Sequence, residues 1–351
     1  QYGNFQAIPF DFTRATTATR VNKQGLIESV KYGIARIDYS DSTQGALLLE
    51  PQRTNLINQS QLLNNYFNFK VDVSITDNYG LSPDGTNNSS RIVFSDETAY
   101  CYSAITASAN QATSVYVKGV SGETLRFGIG LSVVGGDLFT LNGEWQRIEF
   151  IGSNLNQIFF SSYNGATARD IEAFGLQLEE GSYATSYIPT NGATATRNQE
   201  LCYNATPEIN SQEGVLYAEI SALTNDDSTN RYISLNDGSQ NNSVRIYFSS
   251  NGIQLSGQLR SGGGLQCLFG YTVPNLLSFN KVAFKYKQDN FSFWINGVEV
   301  ATDTSGASPI GLNKLSFNRG DGSQTFFGNT KDLKIYNTAL TDAQLQTLTT
   351  I

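Results

Sequence analysis

The sequence has no histidine, no methionine and only three cysteines among its 351 residues. The absence of histidine removes the usual general base of serine and cysteine hydrolases and the commonest ligand of transition metals. Glycosidases that use a carboxylate pair, and lyases that use Tyr, Lys or Arg, stay open. Because the chain begins with Gln1 and lacks methionine, we expect either a removed initiator or a segment of a longer product.

Charged side chains are also scarce, at 15% of the residues, and the net charge is −8. The lysines and arginines are scattered, whereas a nucleic-acid-binding protein carries a basic stripe that contacts phosphates. No apolar run approaches the roughly 20 residues with which a helix spans a bilayer. We therefore expect no nucleic-acid partner and no insertion into a membrane.

The three cysteines, Cys101, Cys202 and Cys267, are far apart, and none belongs to a Cys-x-x-Cys pair. This spacing argues against a zinc site. Two alternatives stay open for these side chains: one disulfide bond, or three thiols in a reducing compartment.

Aromatic residues make up 12% of the chain and are spread along its whole length. Segments rich in β-branched and aromatic residues alternate with Gly, Asn, Asp and Ser, which is typical of antiparallel β-sandwiches. The predicted fold class is all-β, with an N-terminal extended arm, two antiparallel sandwiches and one short C-terminal helix. The predicted boundaries are residues 1–54 for the arm, 55–197 for the first sandwich, 198–213 for a linker and 214–351 for the second sandwich.

Three local patterns make sharper predictions. Asn296-Gly297 stands between two strand segments and predicts a type I′ hairpin. Thr341, followed three residues later by a glutamine, predicts a capping box at the start of the helix. The segments 14–20 and 192–198 have nearly the same sequence, and we expect them to run beside each other or across a neighbouring subunit.

Several segments resemble known proteins. FTRATTATRVNKQGLIESV, ARIDYS and GALLLEPQRTNLI resemble the opening of a family of bacteriophage tail-fibre and other virion appendage proteins. LQLEEGSYATSYIPTNGATATR closes the next module in that family, and the residues between resemble a jelly roll of the carbohydrate-binding-module type. FSFWINGVEV and GNTKDLKIYNTALTDAQLQTL resemble parts of a concanavalin A-like (laminin G-type) domain.

This resemblance implies a receptor-binding protein, or adhesin, on the outside of a virion that recognises carbohydrate on the surface of the host cell. The implied partners are that host glycan and other virion proteins, and the implied oligomer is a homotrimer. We expect no enzymatic activity. Two alternatives remain: a structural head-fibre or capsid-decoration protein, and a depolymerase or lyase that acts on surface polysaccharide.

Candidate sugar-binding residues are aromatic side chains that point away from a sandwich core, because an aromatic ring offers a large contact area at small entropic cost. In NFSFWINGVEV, the residues Phe291, Phe293 and Ile295 share one face and are expected in the core. Trp294 then points the other way and is a candidate platform for a sugar. Tyr286 and Tyr247 are candidates for the same face.

In the first sandwich, Tyr100 and Tyr102 share one face of a predicted strand, with Cys101 on the other. These two tyrosines and Arg126 are candidates for a concave carbohydrate-binding face. For all the aromatic candidates the alternative interpretation is ordinary packing.

Carboxylate side chains are candidates for a calcium site. Oxygen-rich segments such as SPDGTNN, NDGSQNN and TNDDSTN, the last with Asp226 and Asp227, leave a Ca²⁺ site open without assigned ligands. Asp and Asn are also common in turns because they bond their own backbone.

Glu179 and Glu180 are neighbours on a predicted strand and face opposite ways, so they form a poor acid–base pair for glycoside cleavage. The resemblance identifies them as part of a turn motif.

Overall fold

The computed structural model describes residues 6–225 and 228–351. Asp226 and Asp227, considered above as calcium ligands, lie outside the described residues. By its internal contacts the chain divides into two compact units. We call residues 16–32 and 52–198 the N-terminal sandwich, and residues 6–15, 33–51 and 199–351 the C-terminal sandwich.

Strands dominate the described part of the chain, which confirms the all-β prediction. In chain order the elements are β1 (Asp11–Thr13), β2 (Ala18–Val21), β3 (Ile27–Val30), β4 (Arg36–Asp38), β5 (Ala46–Leu49), β6 (Arg53–Asn55), α1 (Leu63–Tyr66), β7 (Phe69–Val71), β8 (Val73–Thr76), β9 (Ser90–Phe94), β10 (Tyr100–Ala104), β11 (Gln111–Gly119), β12 (Thr124–Gly130), β13 (Asp137–Thr140), β14 (Gln146–Gly152), β15 (Gln157–Ser161), β16 (Asp170–Glu180), β17 (Ala195–Arg197), β18 (Leu201–Tyr203), β19 (Glu213–Ser221), β20 (Arg231–Asn236), β21 (Ser243–Phe248), β22 (Gln254–Ser261), β23 (Gly264–Thr272), β24 (Asn280–Lys287), β25 (Phe291–Ile295), β26 (Val298–Asp303), β27 (Lys314–Ser316), β28 (Gly328–Tyr336) and α2 (Asp342–Thr349).

The N-terminal sandwich consists of two five-stranded antiparallel sheets, with strand orders β13-β12-β15-β10-β7 and β14-β11-β16-β9-β8. The apolar side chains between them follow the alternation of half-buried strands. Val115 and Val117 are completely buried in the core, whereas Tyr116 between them is half-buried on the other face of β11. The hairpin β2–β3 and the pair β6–β17 belong to the same unit.

The C-terminal sandwich packs a seven-stranded sheet, β26-β25-β24-β19-β28-β5-β4, against a five-stranded sheet, β23-β22-β21-β20-β27. Residues 1–54, predicted as an arm, contribute strands to both units. In this unit β5 pairs antiparallel with β28, and β4 follows at the edge of the sheet. The pair β1–β18 joins the chain before and after the N-terminal sandwich.

The local predictions for the hairpin and the helix are confirmed. Asn296 and Gly297 both have positive φ, +51° and +84°, as a type I′ turn requires, and β25 pairs directly with β26 on either side. Helix α2 begins after the N-cap Thr341, whose side chain accepts from the backbone of Gln344 while the glutamine side chain bonds back. Helix α1 is a single additional turn.

The two similar segments lie beside each other, as predicted. The backbone N–H of Asn198 donates to the hydroxyl of Thr16 at 2.9 Å. They do not pair as strands, because β2 pairs with β3 and β17 pairs with β6.

Candidate functional site

Four aromatic side chains form a continuous strip on the outer face of the sheet β13-β12-β15-β10-β7 in the N-terminal sandwich. The rings of Phe69 and Tyr102 are stacked, with centroids 4.6 Å apart and planes inclined by 7°. The ring of Tyr100 lies 6.2 Å from that of Tyr102 and 6.1 Å from that of Tyr163. We call Phe69, Tyr102, Tyr100 and Tyr163 the aromatic strip.

The alternation of β10 explains why its two tyrosines reach this face. Cys101 and Ser103 are buried on the inner side of the strand, so Tyr100 and Tyr102 point outward and are half-buried. The register of β10 with β7 sets Tyr102 opposite Phe69. Cross-strand neighbours of this kind are close enough for their rings to stack.

The strip is open at the edge of the sheet. Strand β7 has a neighbour on one side only, so one face of the Phe69 ring stacks on Tyr102 while 52% of the residue stays exposed. Val71, in the same strand and 40% exposed, stands opposite Tyr100 and extends the apolar surface.

Arg126 lies next to the strip but is engaged with the backbone. Its guanidinium donates to the carbonyl oxygens of Tyr163 and Asn164 at 3.2 and 3.0 Å, and to those of Gly135 and Gly136 at 3.3 and 3.1 Å. The side chain therefore fixes the two loops that border the strip, including the loop that carries the Tyr163 ring.

The structure thus brings Tyr100 and Tyr102 to one face of the sheet, as the alternation pattern predicted, and it places the candidate Arg126 on the same face. It adds Phe69 and Tyr163, which the sequence reasoning missed. Phe69 was difficult to predict, because the segment NYFNFK contains three aromatic residues. Only the register of the strands shows which of the three stacks on Tyr102.

Trp294 requires a correction. It does point away from Phe291 and Phe293, but it is only 6% exposed and packs with Tyr217 and with Leu345 of helix α2. Its indole N–H donates to the hydroxyl of Ser292 at 3.0 Å. The expectation of an exposed ring is wrong, because the apolar side of α2 covers this face of the sheet.

Tyr286 and Tyr247 do not join Trp294 either. Tyr286 is completely buried on the core face, where its hydroxyl donates to the carbonyl of Asn210 at 2.8 Å and burial raises its pKa. Tyr247 is 7% exposed and belongs to the other sheet, with its ring 4.4 Å from that of Tyr232. The three predicted residues of the second sandwich therefore form no common exposed surface.

Glu179 and Glu180 have the opposite orientations that the sequence predicted. Glu179 is buried, and its carboxylate accepts from the backbone N–H of Thr185 and from the amide of Gln177, both at 2.8 Å. Burial raises its pKa, against the lowering effect of the hydrogen bonds from Thr185. Glu180 is exposed at the end of β16. The buried carboxylate fixes the turn that follows the strand.

The carboxylates of the oxygen-rich segments bond within their own turns. Asp84 accepts from Ser82, Thr86 and Asn88, and Asp237 accepts from its neighbours in the same way. Among the described residues, no group of three or more His, Cys, Asp or Glu is arranged to hold a metal ion.

Within residues 6–225 and 228–351, no helix has the length and apolarity needed to cross a membrane.

A comparison with protein-family models found a match for the second part of the chain. Residues 198–346 match the family model described as the Concanavalin A-like lectin/glucanases superfamily, so the second part of the chain carries a concanavalin A-like domain. A search of curated proteins found no match.

A search of solved structures found matches to parts of other proteins. The CBM40 of Ruminococcus gnavus IT-sialidase is 17% identical, with 40% of this chain and 85% of that chain covered and a TM-score of 0.35. Domain 4 of AbnA, a GH43 extracellular arabinanase from Geobacillus stearothermophilus solved in complex with arabinotriose, is 16% identical, with coverages of 48% and 82% and a TM-score of 0.34. Domains LG4-5 of the mouse laminin alpha1 chain are 8% identical, with coverages of 70% and 90% and a TM-score of 0.30.

Proposed function

We propose that this chain is a receptor-binding protein of a bacteriophage virion, exposed on the particle, which binds a carbohydrate of the host cell surface without cleaving it. The observation that carries the proposal is the aromatic strip. Tail-fibre-like segments at 10–54 and 174–197 support the virion context, and a homotrimer with further virion proteins as neighbours is part of the proposal.

The strip has the chemistry that sugar recognition needs. Aromatic rings offer apolar faces to the C–H groups of a sugar, and tyrosine adds a hydroxyl at the ring edge that can exchange hydrogen bonds. The rings are held by a sheet and by the loops that Arg126 fixes, so little side-chain freedom remains to be lost on binding. A surface of this kind is preorganised, while the exposed half of Phe69 leaves it accessible.

The expected mechanism is weak binding repeated on one particle. A single shallow site has modest affinity, but three copies on a trimer, and many trimers on a virion, raise the overall avidity by orders of magnitude. Saturable binding to cells therefore depends on multivalency more than on any single contact.

The test measures binding of the fluorescently labelled protein to an array of bacterial surface polysaccharides and to the bacteria that display the positive ones. The supernatant is assayed for released oligosaccharide in the same experiment. We expect saturable binding without release, an affinity reduced about tenfold by Phe69→Ala, which corresponds to about 1.4 kcal/mol, and no change with Tyr32→Ala. Tyr32 is a suitable control because it is 71% exposed and does not belong to the strip.

Each alternative function predicts a different result of this experiment. Release of oligosaccharide identifies a depolymerase or lyase and contradicts the proposal. No binding, even after artificial multimerisation, favours a structural head-fibre or capsid-decoration protein. A monomeric mass by light scattering contradicts the homotrimer.

A further inference from the structure

A separate cleft of about 310 Å³ opens in the C-terminal sandwich, on the outer face of the sheet β23-β22-β21-β20-β27. Leu315 belongs to the core, and Lys314 and Ser316 on either side of it line the cleft, as alternation along a strand requires. The polar and aromatic lining includes Tyr203, Asn204, Asn236, Lys314, Ser316 and Asn318.

Lys314 has an unusual position among the lysines of this sandwich. Lys285 and Lys287 have carboxylate partners, Asp342 and Glu213, at 3.2 and 3.0 Å. Within residues 6–225 and 228–351, the ammonium of Lys314 has no hydrogen-bond or ion-pair partner. A half-buried cation in a cleft without a carboxylate partner is suited to an anionic ligand.

The carboxylate that also lines the cleft is already paired. Asp321 accepts from the guanidinium of Arg319, with Nη2 and Oδ2 2.6 Å apart, and from the hydroxyl of Ser323. It is therefore bound to its own cation and leaves the charge of Lys314 uncompensated.

A second cation, Arg245, is buried in the same sheet. Arg245 is 2% exposed, and its guanidinium donates to the neutral acceptors Gln258 and Gln240 at 2.6 and 2.8 Å. Its pKa is lowered to about 10, mainly by burial, with smaller lowering effects of the charges of Arg260 and Arg319 and a raising effect of Asp321.

We infer that this cleft binds a carboxylate-bearing sugar, such as a hexuronate or sialate residue, as a second and separate ligand site. Lys314 donates to the carboxylate, the ring of Tyr203 contacts the sugar face, and the polar groups of Asn204, Ser316 and Asn318 bond the hydroxyls. Charge-assisted bonds of this type are about twice as strong as neutral ones, so the site selects acidic over neutral sugars.

The test uses the full chain with galacturonate, glucuronate, mannuronate and N-acetylneuraminate oligosaccharides, each beside its carboxyl-reduced counterpart. Affinities are measured by calorimetry, and the contacted residues by amide chemical-shift changes. We expect an acidic oligosaccharide to bind at least tenfold more tightly than its reduced form, with an affinity that falls as salt rises. Lys314→Gln should remove this preference, and Lys287→Gln, the same charge change on a lysine that does not line the cleft, should keep it.

Three results overturn the inference: no acidic oligosaccharide binds, the reduced forms bind equally well, or Phe69→Ala abolishes the acidic preference. The last result would place the ligand on the aromatic strip and leave the proposed function intact, so failure of the two ideas can be distinguished. Lys314→Arg, which keeps the charge, should retain binding within a few-fold, and thermal unfolding shows whether each variant is folded.

Discussion

Arg14 and Glu200 are 186 positions apart in the sequence, and their side chains form an ion pair of 2.6 Å in the C-terminal sandwich. Both side chains are fully buried. Arg36 donates through Nε to the same carboxylate at 2.7 Å and through Nη2 to Glu50 at 2.7 Å. The segment 14–20 thus begins with a residue of this buried ion network, and the segment 192–198 is followed two positions later by another.

Glu200→Gln is expected to destabilise the C-terminal sandwich. It removes one carboxylate charge from a network of two arginines and two glutamates, and one carboxylate then remains for two buried cations. Loss of one partner from a buried pair costs about 3–5 kcal/mol. Urea unfolding measures this change, and Glu208→Gln, an exposed glutamate of the same unit, serves as the control with no change expected. A loss below about 1 kcal/mol would show that the network contributes little.

Arg126→Met is expected to loosen the border of the aromatic strip. The substitution leaves four part-buried or exposed backbone carbonyls without their donor, so the cost should lie below the about 1–3 kcal/mol of a fully buried acceptor without a partner. Hydrogen exchange should accelerate in residues 131–136 and 163–164, with little change in the C-terminal sandwich. Arg126→Lys retains part of the donor set and should give an intermediate effect. Unchanged exchange in both loops would contradict the positioning role of the guanidinium.

Trp294→Ala is expected to reduce stability and leave sugar binding intact. The ring packs under helix α2, and its removal leaves a large cavity, with a cost of about 3–5 kcal/mol. Trp294→Phe should cost less because it keeps most of the volume. At a temperature where both variants are folded, their affinity for a glycan should equal that of the wild type. A selective loss of affinity with full stability would restore Trp294 as a binding residue.

The contrast between Trp294 and Tyr102 shows what the sequence can predict. Strand alternation correctly separated Trp294 from Phe291 and Phe293, and it correctly placed Tyr100 and Tyr102 together. Alternation states which side of a sheet a residue occupies. It does not state what covers that side, and here the cover is a helix that begins 48 residues later, at Asp342.

The pairing of strands that are far apart in the sequence sets a second limit on what the sequence can predict. The hairpin at Asn296 and the capping box at Thr341 depend on neighbours within a few residues, and both were predictable. Phe69 joins the strip only through the register of β7 with β10, and β5 enters the second sandwich only by pairing with β28. Such registers depend on residues far apart in the sequence, so a local pattern carries no information about them.

The three cysteines allow a final test that separates the two sandwiches. Cys101 lies in the core of the N-terminal sandwich, and Cys202 and Cys267 lie in that of the C-terminal sandwich. All three are free thiols, and burial raises the pKa of each to about 12. Since the thiolate is the reactive form, we expect slow labelling by a disulfide reagent at pH 8 in the native protein.

Unfolding in urea without reductant should then release three reactive thiols per chain. One thiol per chain would mean that two cysteines form a disulfide bond and would contradict the free state of these side chains. Trp294→Ala should accelerate labelling of Cys202 and Cys267 in the native protein, because it destabilises only the unit that contains them. Cys101 provides the internal control: equal acceleration at Cys101 would show that the two sandwiches unfold as one cooperative unit.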